Sequence, residues 1–164
     1  MEGIKDLLLN ELNQGIKWTK RIFEDVHESK WNEKHAAIES NLNWQMGHIL
    51  ISHYFHGIAC IQGPDEIIKS TFSPRAYSLY YGMDTKPFNN MEDKPNKLAL
   101  TKYLDLVDSR CLEIVSSLKD SDFKEVTALD NPVAKTKRDA LLWTVKHRMW
   151  HNGQAAMIKS NMNA

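Results

Sequence analysis

Two histidines stand four residues apart in the run Trp143-Thr144-Val145-Lys146-His147-Arg148-Met149-Trp150-His151-Asn152-Gly153-Gln154. On an α-helix this spacing puts both imidazoles on one face, about 40° apart around the axis, so both can reach one metal ion. A useful divalent site needs a third protein ligand from elsewhere in the fold, with a position left for water or substrate. His48 is the best donor. Three neutral imidazoles would leave the charge of the ion uncompensated. Bound water would then be acidified, in some sites to a pKa of about 7, or a bound thiol would be delivered as thiolate.

Other residues constrain this chemistry. The zinc-protease motif has a general-base Glu after its first histidine, and here that position is Arg148, so a protease mechanism is not supported. The sequence offers no obvious acid/base partner beside the histidines; Tyr80, Tyr81, Asp65 and Glu66 are candidates from the long connection, and no catalytic residue is assigned. His56 lies about 80° around the helix from His48 and is the reserve ligand. His53, His27 and His35 read as surface or interface residues. Trp44, Trp143 and Trp150 read as packing residues, and Gly153 as a point of close helix approach.

Four stretches with helical periodicity must position these groups. The first, over 3–27, carries Ile4, Leu8, Leu12, Ile16, Ile22, Phe23 and Val26 at steps of mostly three or four. The second, over 41–62, follows the cap candidates Ser40 and Asn41, runs through Trp44, His48, Ile51, Phe55 and Ala59, and stops at Gly63-Pro64. The third, over 96–119, starts near Pro95-Asn96 and has the cleanest core stripe: Leu100, Leu104, Val107, Cys111, Ile114 and Leu118. The fourth, over 136–161, begins at Thr136 with Asp139 in its first turn, where the helix dipole favours an acid. Its expected inward side is Ala140, Trp143, His147, Trp150, His151, Gln154 and Ile158. The long connection over 63–94 holds five aromatics, Phe72, Tyr77, Tyr80, Tyr81 and Phe88, and is expected to lie ordered across the bundle. The expectation is an all-α four-helix bundle with a long crossover between helices 2 and 3.

Composition sets the wider bounds. The 164 residues suit one domain with a sizeable core. Twenty-one Lys and Arg balance 21 Asp and Glu, so no bulk field favours nucleic acid or an anionic membrane. The longest apolar stretch, over 49–61, is interrupted by His53 and His56 and falls short of the ~20 residues of a membrane span. Leu7-Leu8-Leu9 is flanked by Glu2, Asp6 and Glu11 and does not read as a signal peptide, so the expected setting is cytoplasmic. Cys60 and Cys111 have no pairing motif and read as reduced, buried thiols.

Taken together, Trp44-Gln45-Met46-Gly47-His48-Ile49-Leu50 and His147-Arg148-Met149-Trp150-His151-Asn152-Gly153-Gln154 resemble the two motifs of the DinB-like superfamily. Helix order and motif positions match over nearly the whole chain. The resemblance implies one DinB-like domain over 1–164, commonly dimeric, whose metal ligands fall on His48, His147 and His151 around Zn, Ni or a similar divalent ion, with Fe or Mn as alternatives. It also implies a small-molecule enzyme, a thiol-S-transferase or hydrolase, whose partner includes a low-molecular-weight thiol. Two other classes stay open: a noncatalytic metal-binding or stress-related dimer, and an interaction module with empty histidines.

Overall fold

The computed structural model describes residues 3–35 and 38–162. Among these residues there are six helices and no strand, only the isolated bridges His35 to Ile38 and Val126 to Thr136. α1 is Ile4–Phe23, with Asp6 in its first turn and Lys20 and Arg21 in its last, as the helix dipole favours. α2 is Leu42–Tyr54, capped by the Asn41 side chain accepting from Trp44 N–H. It runs on through a π-helical turn, Phe55–Ala59, and a last α-turn, Cys60–Gln62. Gly63 then reverses the chain at φ 93°, a conformation that costs other residues more.

The crossover is ordered, as its aromatics require, and holds two short helices, α3 (Glu66–Thr71) and α4 (Pro74–Tyr81). α5 is Lys97–Ser117, capped by Asn96, with Pro95 just before the cap. α6 is Lys137–Asn161 and opens on a capping box between Thr136 and Asp139.

Contacts along the four long helices fix their directions. Thr101 meets Met46, Asp108 meets His53 and Cys111 meets Gly57, so α2 and α5 run parallel. The crossover makes that possible. Ser52 meets His147 and Gln45 meets Gln154, so α6 runs antiparallel to α2. Lys20 pairs with Asp105 while Lys97 reaches the Glu24 carbonyl, so α1 runs antiparallel to α5. Leu8, Leu12, Ile49, Leu50, Leu100 and Val107 are among the side chains that fill the shared core.

A polar knot crosses that core. Arg148 donates from Nη1 and Nη2 to the two oxygens of Asp108 at 2.7 and 2.9 Å, and from Nε to Thr19 Oγ1 at 2.9 Å. Its Nη1 also lies 2.6 Å from His53 Nδ1. Thr19 in turn donates to Asn152 Oδ1 at 3.0 Å. His53 is therefore a buried bundle residue, not the surface or interface residue its sequence context suggests: the Asp108–Arg148 pair gives a histidine a polar place inside. The arginine beside Asp108 overcomes the burial penalty and holds its carboxyl at about 2.

The same knot turns α6. Its buried side is Ala140, Leu141, Thr144, Arg148, His151, Asn152, Ala155 and Ile158, rotated from the side expected from apolar periodicity. Trp150 is exposed and does not pack in the core. Gly153 does not serve a close approach within the chain, since a Cβ there would meet nothing within 4 Å. The close approach lies at Gly47, where an added Cβ would sit 2.3 Å from the Tyr81 ring. Replacing Gly by Ala inside a helix ordinarily stabilises by about 1 kcal/mol. At Gly47 the clash with a fully buried ring should reverse the sign, and Gly47→Ala should lose about 1–3 kcal/mol in urea unfolding. An unchanged or raised urea midpoint would show that Tyr81 can move aside freely.

Candidate metal centre

His48 comes from the middle of α2, and His147 and His151 from two consecutive turns of α6, the antiparallel neighbour. One ring nitrogen from each falls within 4.8 Å of the others. Three donors around a tetrahedral ion at about 2.1 Å lie about 3.4 Å apart, and His48 Nε2 and His147 Nε2 already stand 3.2 Å apart. The separations to His151 lie within 4.8 Å.

The other nitrogens are held from outside. His48 Nδ1–H donates to the Tyr81 carbonyl at 2.6 Å. A carbonyl only accepts, so neutral His48 carries its proton on Nδ1 and turns a bare Nε2 inward. His151 Nδ1 lies 2.8 Å from Gln45 Oε1, while Gln45 Nε2 donates to Ser40 Oγ and Gln154 Oε1, each at 3.0 Å. With the amide so oriented, Nδ1–H of His151 is also the donor, and its Nε2 is also bare. His147 Nδ1 meets Ser52 Oγ at 2.9 Å, and a hydroxyl serves either tautomer. Without a cation, His147 can donate from Nε2 to His48 while Ser52 donates to its Nδ1. A cation held at Nε2 would require the proton on Nδ1, with Ser52 as its acceptor. These outer partners are the kind that orient metal-binding imidazoles, and the donor set fits a divalent ion.

Burial keeps the rings neutral. Desolvation is the first cause in each case: His147 falls to about 3 and His151 to about 4, both helped by neighbouring imidazoles, and His48 is lowered against the opposing bond to Tyr81. Trp44 stacks on His48 at 4.6 Å with a 10° interplanar angle, and its Nε1 donates to Thr85 Oγ1 at 2.9 Å. Trp150 stacks on His151 at 5.9 Å. Two of the tryptophans expected as packing residues thus brace histidine rings.

A cleft of about 220 Å³ opens beside His48 and His147, walled by Ile51, Phe55, Met83, Pro132, Val133 and Trp143. Of the other sequence candidates, His56 lines this cleft. Asp65 caps α3 and pairs with Arg110, away from the histidines, and Glu66 pairs with Lys69 at the surface. Tyr81 is fully buried, its OH donates to Asn43 Oδ1 at 2.8 Å and burial pushes its pKa up, so it is a brace and not an acid or base. His27 caps the turn at Glu28–Lys30, and His35 is half-buried in its bridge to Ile38. Ser52 was legible as a neighbour of His48, four residues on along the same helix; Asn131, which reaches His56, carried no sequence signal. A larger cleft of about 330 Å³ lies between α1 and α5 over the Asp108–Arg148 pair, and none of the three histidines lines it.

A histidine with a lowered native pKa loses stability for the fold as pH falls, because the unfolded chain takes up protons first. In chelator-treated protein, stability should be fully present above pH 6.5 and decline as pH drops from there through about 4 to about 3. Denaturant midpoints across that window test this, and a weaker slope is expected for His147→Ala. A flat profile in the wild-type protein would contradict the buried neutral cluster.

The model of the DinB superfamily matches residues 11–155. A conserved protein from Enterococcus faecalis, known from its crystal structure, is similar with a TM-score of 0.70 and 14% identity, covering 97% of this chain and 96% of its own. At that identity the likeness shows the fold alone. No curated protein matches this chain.

Proposed function

This chain belongs to the DinB superfamily, and on that premise we propose that it is a divalent-metal-dependent enzyme acting on a small molecule by thiol-S-transfer or hydrolysis. His48, His147 and His151 are the proposed ligands. The observation that carries the reading is the convergence of one ring nitrogen from each of three histidines, with His48 turning a bare Nε2 inward because the Tyr81 carbonyl holds its Nδ1–H, and His151 held at Nδ1 by Gln45.

Three imidazoles suit Zn or Ni, with Fe or Mn as alternatives. When bound, such an ion supplies Lewis acidity that lowers the pKa of water or a thiol. The chain's own residues do the rest. Gln45 and the Tyr81 carbonyl orient two of the rings, Ser52 serves His147 Nδ1 as donor or acceptor, and the apolar cleft walls favour an electrophilic substrate of low polarity. A structural site would be closed on every side, whereas His48 and His147 border an open cleft, which favours the enzyme over a noncatalytic binder. The proposed setting is the cytoplasm, with a low-molecular-weight thiol as one substrate, and 1–164 acts as one domain. No helix among the described residues is long and apolar enough to cross a membrane.

Protein prepared without nickel affinity resin should hold about one Zn or Ni per chain, and His147→Ala or His151→Ala should abolish stoichiometric binding, because two remaining ligands make a weak site. The wild type should turn over at least one substrate in a panel of thiol transfers and ester or amide hydrolyses, and His147→Ala none. Equal rates for both proteins on every substrate would leave the noncatalytic reading.

The same reading includes a homodimer. Trp18 on α1 and Met149, Trp150 and Met157 on α6 are exposed on helices that pack together, and Gly153 lies between Trp150 and Met157 with open space before it. Large exposed apolar side chains beside a bare backbone suit a second copy. Sedimentation should give a dimer for the wild type and a monomer for Trp150→Glu; a monomeric wild type would remove the dimer from the proposal.

A further inference from the structure

His56 stands on the π-helical turn after α2, with its ring 6.5 Å from that of His147. Its environment fixes which nitrogen carries the proton. Val133 N–H donates to Asn131 Oδ1 at 3.0 Å, and a backbone N–H can only donate, so the Asn131 amide cannot be turned round without losing that bond. Asn131 Nδ2 therefore donates to His56 Nδ1 at 2.9 Å, with Cys60 Sγ 3.3 Å away as a second acceptor. Neutral His56 accepts at Nδ1 and carries its hydrogen on Nε2. Desolvation, with His48 nearby, keeps the ring neutral by lowering its pKa to about 4. Among the described residues no hydrogen bond engages Nε2, and it is not one of the buried unpartnered atoms; the ring lines the cleft.

A fixed Nε2–H makes His56 a poor fourth metal ligand, since ligation would cost that proton and the bond from Asn131. It is instead a neutral hydrogen-bond donor facing a cleft that no Lys, Arg, Asp or Glu lines. The walls favour an uncharged, apolar body, and a donor fixed in place beside the three histidines favours an accepting oxygen there.

We propose that His56 is a substrate-binding residue whose Nε2–H, locked by Asn131, holds the carbonyl oxygen of an uncharged, largely apolar acyl compound, an ester, amide or thioester, in the cleft beside the three histidines. The proposal rests on the functional reading above and gives its site a substrate class. The carbonyl is held against His147, where attack would occur, and its charge is met by a donor that does not surrender its proton.

The test uses the full chain with acetanilide as the uncharged amide probe, N-ethylaniline as the match without the carbonyl, and 4-acetamidobenzoate as the charged analogue. Nitrogen-15 NMR of the histidine rings should show Nδ1 of His56 unprotonated and Nε2 protonated. Acetanilide should shift the His56 Nε2 resonance saturably, with the other two compounds binding at least about tenfold more weakly, the worth of one good hydrogen bond. His56→Ala should lose about tenfold in acetanilide affinity with metal content unchanged, His56→Gln should restore part of it through its amide N–H, and Asn131→Asp should move the proton to Nδ1 and weaken binding as His56→Ala does. A protonated Nδ1 in the wild type, or acetanilide affinity indifferent to His56 and Asn131, would overturn the proposal. Each titration is run with and without added zinc. Acetanilide binding through His56 in a protein that never takes up metal would sink the metalloenzyme reading alone, and metal uptake without His56-dependent binding would sink this one alone.

Discussion

Arg148 lies between His147 and His151 in sequence, and its guanidinium is clamped to both oxygens of Asp108 on α5 while also reaching Thr19 on α1 and His53 on α2. One side chain thus fixes the rotation of α6 against three other helices. Successive residues of a helix point about 100° apart, so with Arg148 held inward towards α5 and α1, His147 and His151 are turned towards α2 and His48. Removing one partner of such a buried pair would strand a charge, at a cost of about 3–5 kcal/mol. The knot is not fully satisfied either: His53 Nε2 is buried without a partner. That loss is tolerated inside an otherwise saturated network.

The crossover contributes to the site as much as the bundle does. It lets α2 and α5 run parallel, which brings Asp108 to the level of Arg148. It also ends α4 at Tyr81, whose ring rests on Gly47 and whose carbonyl sets the tautomer of His48, the next residue. Gly47 and His48 are therefore one device: the missing Cβ admits the ring, and the ring brings the carbonyl. Thr85, a few residues on, holds Trp44 in its stack on His48.

Neutrality follows from the same packing. Among the described residues no carboxylate belongs to the histidine cluster, and burial lowers all three pKa values, so the rings are neutral at neutral pH and each keeps one lone pair. The cleft beside them is apolar for the same reason. Its polar features include the edges of His48, His56 and His147, the indole of Trp143 and the hydroxyl of Ser52, and on His48 and His56 the hydrogen is directed by a neighbour.

Local signals were enough for the four long helices and for the His147/His151 pair, but not for the two short helices of the crossover. Capping side chains at Asn41, Asn96 and Thr136 act through residues three positions on, and the stripe from Leu100 to Ile114 is a property of one helix, so both can be read along the chain. The i, i+4 spacing of His147 and His151 is equally local. The inward face of α6 was not legible, because apolar periodicity gave weight to Trp150 and none to Arg148, whose burial depends on an acid 40 positions earlier in the chain. The place of His53 depended on the same pair. The proton positions on His48, His151 and His56 were beyond the sequence for a related reason: each is decided by a partner 33, 106 or 75 residues away, and only packing brings those together. The sequence by itself determined which side chains could bind a metal; the tertiary structure decided which nitrogen each one offers, because a tautomer is set by the atom on the far side of the ring.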